Sequence, residues 1–260
     1  MKKKYPKISI ITPSYNQGRF IETTIRSVIE QNYPNLEYIV MDGGSTDETL
    51  DILKKYSRQI RLFSKKDKGQ SDAINNGLKI AKGEIVGYLN SDDTIEPDSL
   101  SKVADFFVKN SQYYWVTGKC YVINENGRIV NNLVTLYKSF WLKYFRSEKI
   151  LAVLNYISQP ATFWKKSVYC RIGTFNHSLH YGMDYDYWLR LIKIYKLGFI
   201  DHYLAAFRIH SQSKSGQSYT DLFKESYLVS NKYNSGVLSL LHKFHDICTI
   251  IAYKYIRRFK

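Results

Sequence analysis

The chain has 260 residues, 44% of them hydrophobic, enough to bury one large core, or a core with a small lobe, without external staples. Its 38 Lys and Arg against 23 Asp and Glu leave a formal charge of +15, which favours anionic partners (nucleotides, phosphates, acidic lipid or nucleic acid) without choosing among them. Cys120, Cys170 and Cys248 stand far apart in no metal-ligand spacing, which argues against disulfides and zinc and for free thiols in a reducing compartment.

The start Met1-Lys2-Lys3-Lys4 has the charge of a signal peptide, but the apolar run behind it covers only 8–11 before Pro13 and Asn16, so export by that route is not expected. No stretch has the roughly eighteen uninterrupted apolar residues of a membrane-spanning helix. The expectation is a cytoplasmic protein, either free or peripheral at the inner face of the cell membrane.

Strands are predicted over 8–11, 36–41, 60–63 and 84–89. Each runs into a polar or acidic cluster: Thr12-Pro13-Ser14-Tyr15, Asp42-Gly43-Gly44-Ser45, Asp67-Lys68-Gly69-Gln70 and Asn90-Ser91-Asp92-Asp93. In an open parallel sheet such strand ends line one crevice, where these folds bind ligands. Between the strands, Phe20, Ile21, Ile25, Val28 and Ile29 share one helical face. Ser45 with Glu48 reads as a capping box starting a helix through Leu50 and Leu53 to about Tyr56. Ile74, Leu78 and Ala81 form a third stripe, with Gly83 as its C-terminal glycine, and a fourth helix begins near Pro97.

After Asn110 the alternation stops. Strands over 113–122 and 128–130 join at an Asn126-Gly127 turn; an aromatic-rich helical stretch over 137–154, a strand over 161–164 and a long helix from about 185 to 197 follow. Phe207-Arg208-Ile209-His210 ends a last strand. No linker divides the halves, so one domain over 1–212 is expected, with a nucleotide-binding half (1–110), an acceptor-binding half (111–212) and a helical extension over 213–260. In that extension Leu240, Leu241, Phe244, Ile247, Ile251 and Tyr255 recur at helical spacing among Lys and Arg. The stripe fits an interfacial helix on anionic lipid, or a helix packed on its own domain or on a second subunit.

Adjacent carboxylates at Asp92 and Asp93 suit a hard divalent cation. Side chains alternate along a strand, so one of them, Asp92, is expected to ligate directly, with Asp93 orienting the site or a sugar hydroxyl; a plain helix-capping turn is the alternative. Asp42, before two glycines, can accept from the imide N–H of a uracil-type base or can cap a helix. Thr12, Pro13 and Tyr15 would wall the same pocket, Tyr15 offering a ring face, or are ordinary core or turn residues. Lys68 and the amide end of the third helix favour phosphate oxygens, with Asp72 and Asn75 one turn apart on one face.

The segments Ile10-Ile11-Thr12-Pro13-Ser14-Tyr15-Asn16, Asp42-Gly43-Gly44-Ser45-Thr46-Asp47 and Asn90-Ser91-Asp92-Asp93 resemble glycosyltransferase family 2, over roughly residues 7–212. The resemblance implies an α/β GT-A fold: a Rossmann-like, mixed but mainly parallel sheet flanked by helices. It implies sugar transfer from a nucleotide-diphosphate sugar with inversion at the anomeric carbon, using Mn2+ or Mg2+. It implies base contacts by Thr12, Tyr15 and Asp42, nucleotide-sugar contacts by Asn90 and Ser91, and metal or diphosphate contacts by Asp92 and Asp93. Two departures stand out: Asn90 replaces the family's usual first acid, and Ile74 stands where an Arg is often found, leaving the diphosphate to Lys68 or Arg208. Met183-Asp184-Tyr185-Asp186 resembles the segment carrying the catalytic base, with Met183 in place of Glu and Asp184 as the base; a helix cap is the plainer role. Asp186 is then structural or an acceptor contact, Gln159 of Ser158-Gln159-Pro160 lies near the acceptor, and Arg208 and His210 reach the diphosphate or metal.

The resulting expectation is a metal-dependent hexosyltransferase of surface polysaccharide assembly, leaning to a UDP-linked donor, with a glycan or lipid-linked acceptor. A sugar nucleotidyltransferase would need a basic, Gly-rich phosphate loop after the first strand, and residues 12–16 supply none. A nucleic-acid-binding module would need clustered basic and aromatic residues on one face, whereas the basic residues here are dispersed except in the tail. A dinucleotide-dependent oxidoreductase would need Gly-x-Gly-x-x-Gly after a strand, which is missing.

Overall fold

The computed structural model describes residues 5–130, 132–214 and 219–258. Strands β1 (Ile8–Ser14), β2 (Leu36–Asp42), β3 (Arg61–Ser64) and β4 (Ile85–Tyr88) are all parallel, in the order β3-β2-β1-β4. Helices α1 (Gly18–Ile29), α2 (Thr49–Lys55) and α3 (Gln70–Ile80) make the crossovers. β1 is buried along its whole length, as expected for a central parallel strand covered on both faces. Its alternation sorts two cores: Ile8 and Ile10 cluster with Ile21, Ile25 and Val28 of α1, while Ile11 clusters with Ile74 and Leu78 of α3.

Beyond β4 the sheet is mixed. β5 (Thr94–Ile95) leads into α4 (Ser99–Lys109), then β6 (Trp115–Ile123) and β7 (Ile129–Val130) form the expected hairpin. The single helix expected over 137–154 is two, α5 (Asn132–Tyr144) and α6 (Glu148–Val153), because Ser147 caps a new start by accepting from the Ile150 N–H at 3.3 Å. β8 (Thr162–Lys165) bridges β4 and β6 antiparallel, and after α7 (Tyr169–Ile172) comes α8 (Met183–Ile192). α8 begins earlier and ends sooner than expected, which brings Asp184 into its first turn. β9 (Leu197–Arg208), of which the sequence indicated only the end, runs parallel to β6 through an irregularity at Gly118–Cys120 and pairs antiparallel with β5. α9 (Tyr219–Tyr233) and α10 (Val237–Arg258) follow; α9 packs on α8 and α6, and α10 on α9 and α6.

Gly83 is not a helix C-cap. α3 ends with Ala81 in extended backbone, and Gly83 is required because a Cβ there would lie 2.5 Å from the Ser9 nitrogen. That contact seats the start of β4 against β1, bringing the four loops of the front half to one edge of the sheet.

Candidate active site

The loops after β1 and β2 are stapled together. The Asn16 N–H donates to Ser45 Oγ at 2.8 Å, the Thr46 N–H to Asn16 Oδ1 at 2.8 Å and the Gly18 N–H to Asp47 Oδ2 at 3.0 Å. Asp42 is the centre of this turn: its Oδ2 accepts from the N–H groups of Gly44 and Ser45 and from Ser64 Oγ, and its Oδ1 from Ser45 Oγ at 2.5 Å. With 2% of it exposed, this carboxylate shapes the loop rather than standing ready for a base. Ser45 is therefore a ligand of Asp42, not the expected helix cap, and α2 instead starts beside Asp47, whose Oδ1 accepts from the Thr49 N–H at 3.1 Å. Thr12 is likewise turned inward, its hydroxyl 3.0 Å from that of buried Tyr38. Pro13 is buried and Tyr15, 60% exposed, stands over the loop with its ring free.

The next loop adds acids and one cation. Asp67 accepts from the Gly69 N–H at 2.8 Å and Asp72 from the Lys68 N–H at 3.2 Å, while the Lys68 ammonium is exposed. Burial, with the nearby charges of Asp72 and Asp42, holds the Asp67 carboxyl above the usual range. A Cβ on Gly43 would lie 2.9 Å from Asp67 Oδ2, so the second and third loops approach closely here and a larger residue would displace the Asp67 side chain. Asn75, expected at the nucleotide sugar, clamps another segment: its amide donates to the Phe175 carbonyl and accepts from the Phe175 N–H, both at 2.9 Å.

At the end of β4 the neighbouring carboxylates separate. Asp93 is 0% exposed; its Oδ1 accepts from the Arg208 N–H at 2.8 Å and its Oδ2 from the Asn90 amide at 3.1 Å. Desolvation and the Asp92 charge push its carboxyl well up. In this structure Asp93, expected as a metal or nucleotide contact, has both oxygens engaged within the fold. Asp92 turns the other way, with Oδ2 2.9 Å from His210 Nε2. Arg208 does not reach out as a diphosphate ligand: its guanidinium donates to the carbonyls of Asp92, Asn124 and Glu125 and lies over the Phe20 ring. Ser91 is buried beside them. Asn90 explains its own departure from the family pattern: its Nδ2 donates to Asp93 and, at 3.3 Å, to Gln159 Oε1, while its Oδ1 accepts from Gln70 Nε2 at 2.6 Å. A carboxylate at position 90 would have no proton to give Asp93.

The start of α8 is the next segment bound to α3. Met183 fills the family's acidic position and accepts the Ser71 hydroxyl on its sulfur at 2.9 Å. Ser71 adjoins Gln70, so the wall bearing Asp184 and the loop bearing Asp92 are both tied to the first turn of α3. Asp184 Oδ1 accepts its neighbour's main-chain N–H at 2.7 Å. Desolvation raises its carboxyl, opposed by the charges of Lys138 from α5 and Lys214. The two ammonium groups donate to the carbonyls of Ile157 and His180. Burial first, and then the charges of Asp184 and Asp93, raise the buried Tyr88 hydroxyl well above its ordinary value. Gln159 donates to the Tyr88 carbonyl at 2.6 Å and is part of the wall. Asp186, expected to contact the acceptor, is buried in an ion pair with Arg190 at 2.8 Å and a hydrogen bond from Tyr233 at 2.7 Å, away from Asp184. Gln70, Ser64, Lys138 and Lys214 were not foreseen. Gln70 stands in the polar run before α3, but nothing local in the sequence marks the others.

The model of the family Glycosyl transferase family 2 matches residues 9–177, more than half of the chain. The chain belongs to glycosyltransferase family 2. The matched span takes in Asp42 and Asp92 and ends before Asp184 and His210. Among related family 2 proteins, chondroitin synthase from Escherichia coli is 29% identical over 197 residues, 74% of this chain and 27% of its own length. The putative teichuronic acid biosynthesis glycosyltransferase TuaG of Bacillus subtilis is 38% identical over 117 residues, 44% of this chain and 46% of its own. The chain thus spans less than half of either relative. A fragment of S. aureus TarS in complex with UDP-GlcNAc superposes with a TM-score of 0.68 at 22% identity, over 86% of this chain and 65% of that one. The mannosyltransferase PcManGT from Pyrobaculum calidifontis, in complex with GDP-Man and Mn2+, gives 0.66 at 17% identity, over 94% and 69%. These likenesses establish the GT-A fold for this family 2 chain.

Proposed function

We propose that this family 2 chain is an inverting, metal-dependent hexosyltransferase that moves a sugar from a UDP-linked donor to a glycan or lipid-linked acceptor in surface polysaccharide assembly. The observation that supports the proposal is that the loop bearing Asp92, paired with His210, and the helix start bearing Asp184 are both tied to the first turn of α3, through Gln70 and Ser71. The names of the related chondroitin synthase and TuaG, and the UDP-GlcNAc held by TarS, support the class of donor and product.

The base of the donor lies against the turn built on Asp42, under the ring of Tyr15, with the diphosphate directed past Lys68 toward Asp92. Because Asp42 and Thr12 are committed to the fold, recognition of the base falls to the main chain they hold rigid and to Tyr15. Asp92 Oδ2 and His210 Nε2 form a two-donor set, and among the described residues no group of three or more His, Cys, Asp or Glu forms a closed metal cage. That fits an ion completed by diphosphate oxygens, and the imidazole donor favours Mn2+ over Mg2+. Such an ion, when bound, would neutralise charge on the departing diphosphate.

On the other wall Asp184 takes the proton of the acceptor hydroxyl. The hydroxyl oxygen forms its bond to the anomeric carbon as the bond from that carbon to the diphosphate oxygen breaks, and the electron pair leaves with the nucleoside diphosphate. Attack from the face opposite the leaving group inverts the centre.

Asp184→Asn is expected to lower turnover by about 10²- to 10⁴-fold in a UDP-release assay while UDP affinity by calorimetry stays within error. Retained turnover would remove Asp184 from the base role. His210→Ala is expected to abolish the gain in UDP affinity on adding Mn2+; an unchanged gain would move the metal site elsewhere.

A further inference from the structure

α10 is amphipathic in the wrong direction for a helix that only completes its own domain. Its inward face is polar: His242, 1% exposed, presents Nδ1 2.7 Å from the Val153 carbonyl and Nε2 3.1 Å from Asp246 Oδ2. Its outward face carries Val237, Leu240, Leu241, Phe244 and Ile247, with Val237 71% exposed. A helix stabilised by its own core turns such a stripe inward. α5 repeats the pattern: Thr135 and Leu142 are buried, while Leu133, Leu136, Phe140 and Tyr144 face out, Leu133 at 76%. Tyr137 of α5 and His245 of α10 join the helices, hydroxyl to Nε2 at 3.0 Å, so the two apolar stripes adjoin. Scattered surface leucines need no explanation, but two adjoining helical stripes do.

Charge selects the occupant. Lys143, Arg146, Lys149 and Lys243 are exposed around the stripes. Glu148 is the only acid between 132 and 149, and Asp246, the one acid in α10, is held by His242 and His245. A second copy meeting this surface symmetrically would set cations against cations. Anionic headgroups would meet them with opposite charge, and a rim of Phe140, Trp141, Tyr144 and Phe145 has the aromatic character of interfacial helices. Among the described residues no helix is long and apolar enough to cross a membrane, so contact is made lying on its surface.

We infer that α5 and α10 together seat the chain on an anionic bilayer. Resting on the function proposed above, this selects the lipid-linked acceptor, since a chain seated on a bilayer meets acceptors held in it: α5 turns its outer face to the lipid, while Lys138 on the same helix donates to the Ile157 carbonyl and its charge acts on Asp184.

The full chain is to be sedimented with vesicles of phosphatidylcholine alone or mixed with phosphatidylglycerol. Binding to the mixed vesicles, at least about tenfold tighter than to the neutral ones, is expected. Leu240→Asp with Phe244→Asp, both exposed and so compatible with an unchanged melting temperature, should abolish it, and Lys243→Glu should weaken it about fivefold. No binding by the parent chain, or equal binding by the double variant, would overturn the inference. So would a dimer in light scattering that the double variant turns into a monomer, which would assign the surface to a second copy. UDP affinity is measured on the same samples: its loss in the parent chain would count against the proposed function, whereas lost vesicle binding with UDP affinity intact bears on the surface alone.

Discussion

Asp92 and Asp93 are consecutive residues with opposite fates, and the difference is one of solvation. Asp93 is enclosed and satisfied by an amide and a main-chain N–H, so it works as a structural anchor; Asp92 keeps an oxygen toward His210 and the crevice. Asp184 lies between these extremes, with burial raising its proton affinity and Lys138 and Lys214 lowering it. A base must be ionised to act, so turnover should fall on acidification at a higher pH than an ordinary carboxylate would give. Lys138→Met removes one of the opposing charges and should move that acid limb further up in pH, measured as the kcat profile; a limb that stays put would show that Lys138 does not tune the base. The same shift acts on stability. A carboxyl raised in the folded state favours folding below its unfolded pKa, and the advantage is lost as pH rises through the folded value. Asp184→Asn should therefore melt above the parent at neutral pH and converge with it in acid.

At the scale of elements, α3 is the piece on which both walls depend. Gln70 holds Asn90, Ser71 holds Met183, and Asn75 holds both main-chain groups of Phe175. Asn75→Ala leaves that buried N–H and carbonyl without their amide partner, which should destabilise the fold by about 2 kcal/mol or more in urea titration and raise the KM for donor and acceptor together. A loss of stability below a few tenths of a kcal/mol would sink this account of α3. The strands, crossovers and loop order of the front half were legible because their signal is local: apolar runs, a helical stripe, a polar cluster. β9 was not, because a strand carrying Asp201, His202 and Tyr203 between apolar ends shows no alternation. The roles of Thr12, Asp42 and Asn75 were not legible for a different reason. A polar side chain at a strand end can satisfy a ligand or the chain itself, and only the positions of Tyr38, Ser64 and Phe175 decide between these. Lys138 acts on the Asp184 carboxyl from a distant helix with no local mark in the sequence, so only tertiary structure reveals it.

At the scale of the whole molecule, one sheet runs from β3 to β5, and its β9 ends at Arg208, beside the Asp92–Asp93 loop of the front half. The excess of positive charge, legible from composition alone, finds its use only when α5 and α10 are seen to turn apolar faces outward beside Lys143 and Lys243. An attraction of that kind is screened, so vesicle binding should weaken steadily as salt rises toward 1 M, where the Debye length has dropped to roughly 3 Å. Binding indifferent to salt would mean that the lipid is held by apolar contact alone.

Arg208 has a consequence of its own. Its guanidinium joins the main chain at Asp92 to that at Asn124 and Glu125, in the tip of the hairpin between β6 and β7. That tip is exposed and would ordinarily tolerate insertion, yet here it serves as the far anchorage of the loop bearing Asp92. Lengthening it would release the arginine and let Asp92 drift, so a stretch of surface that looks free to vary shares a geometric constraint with a partly buried loop of the front half.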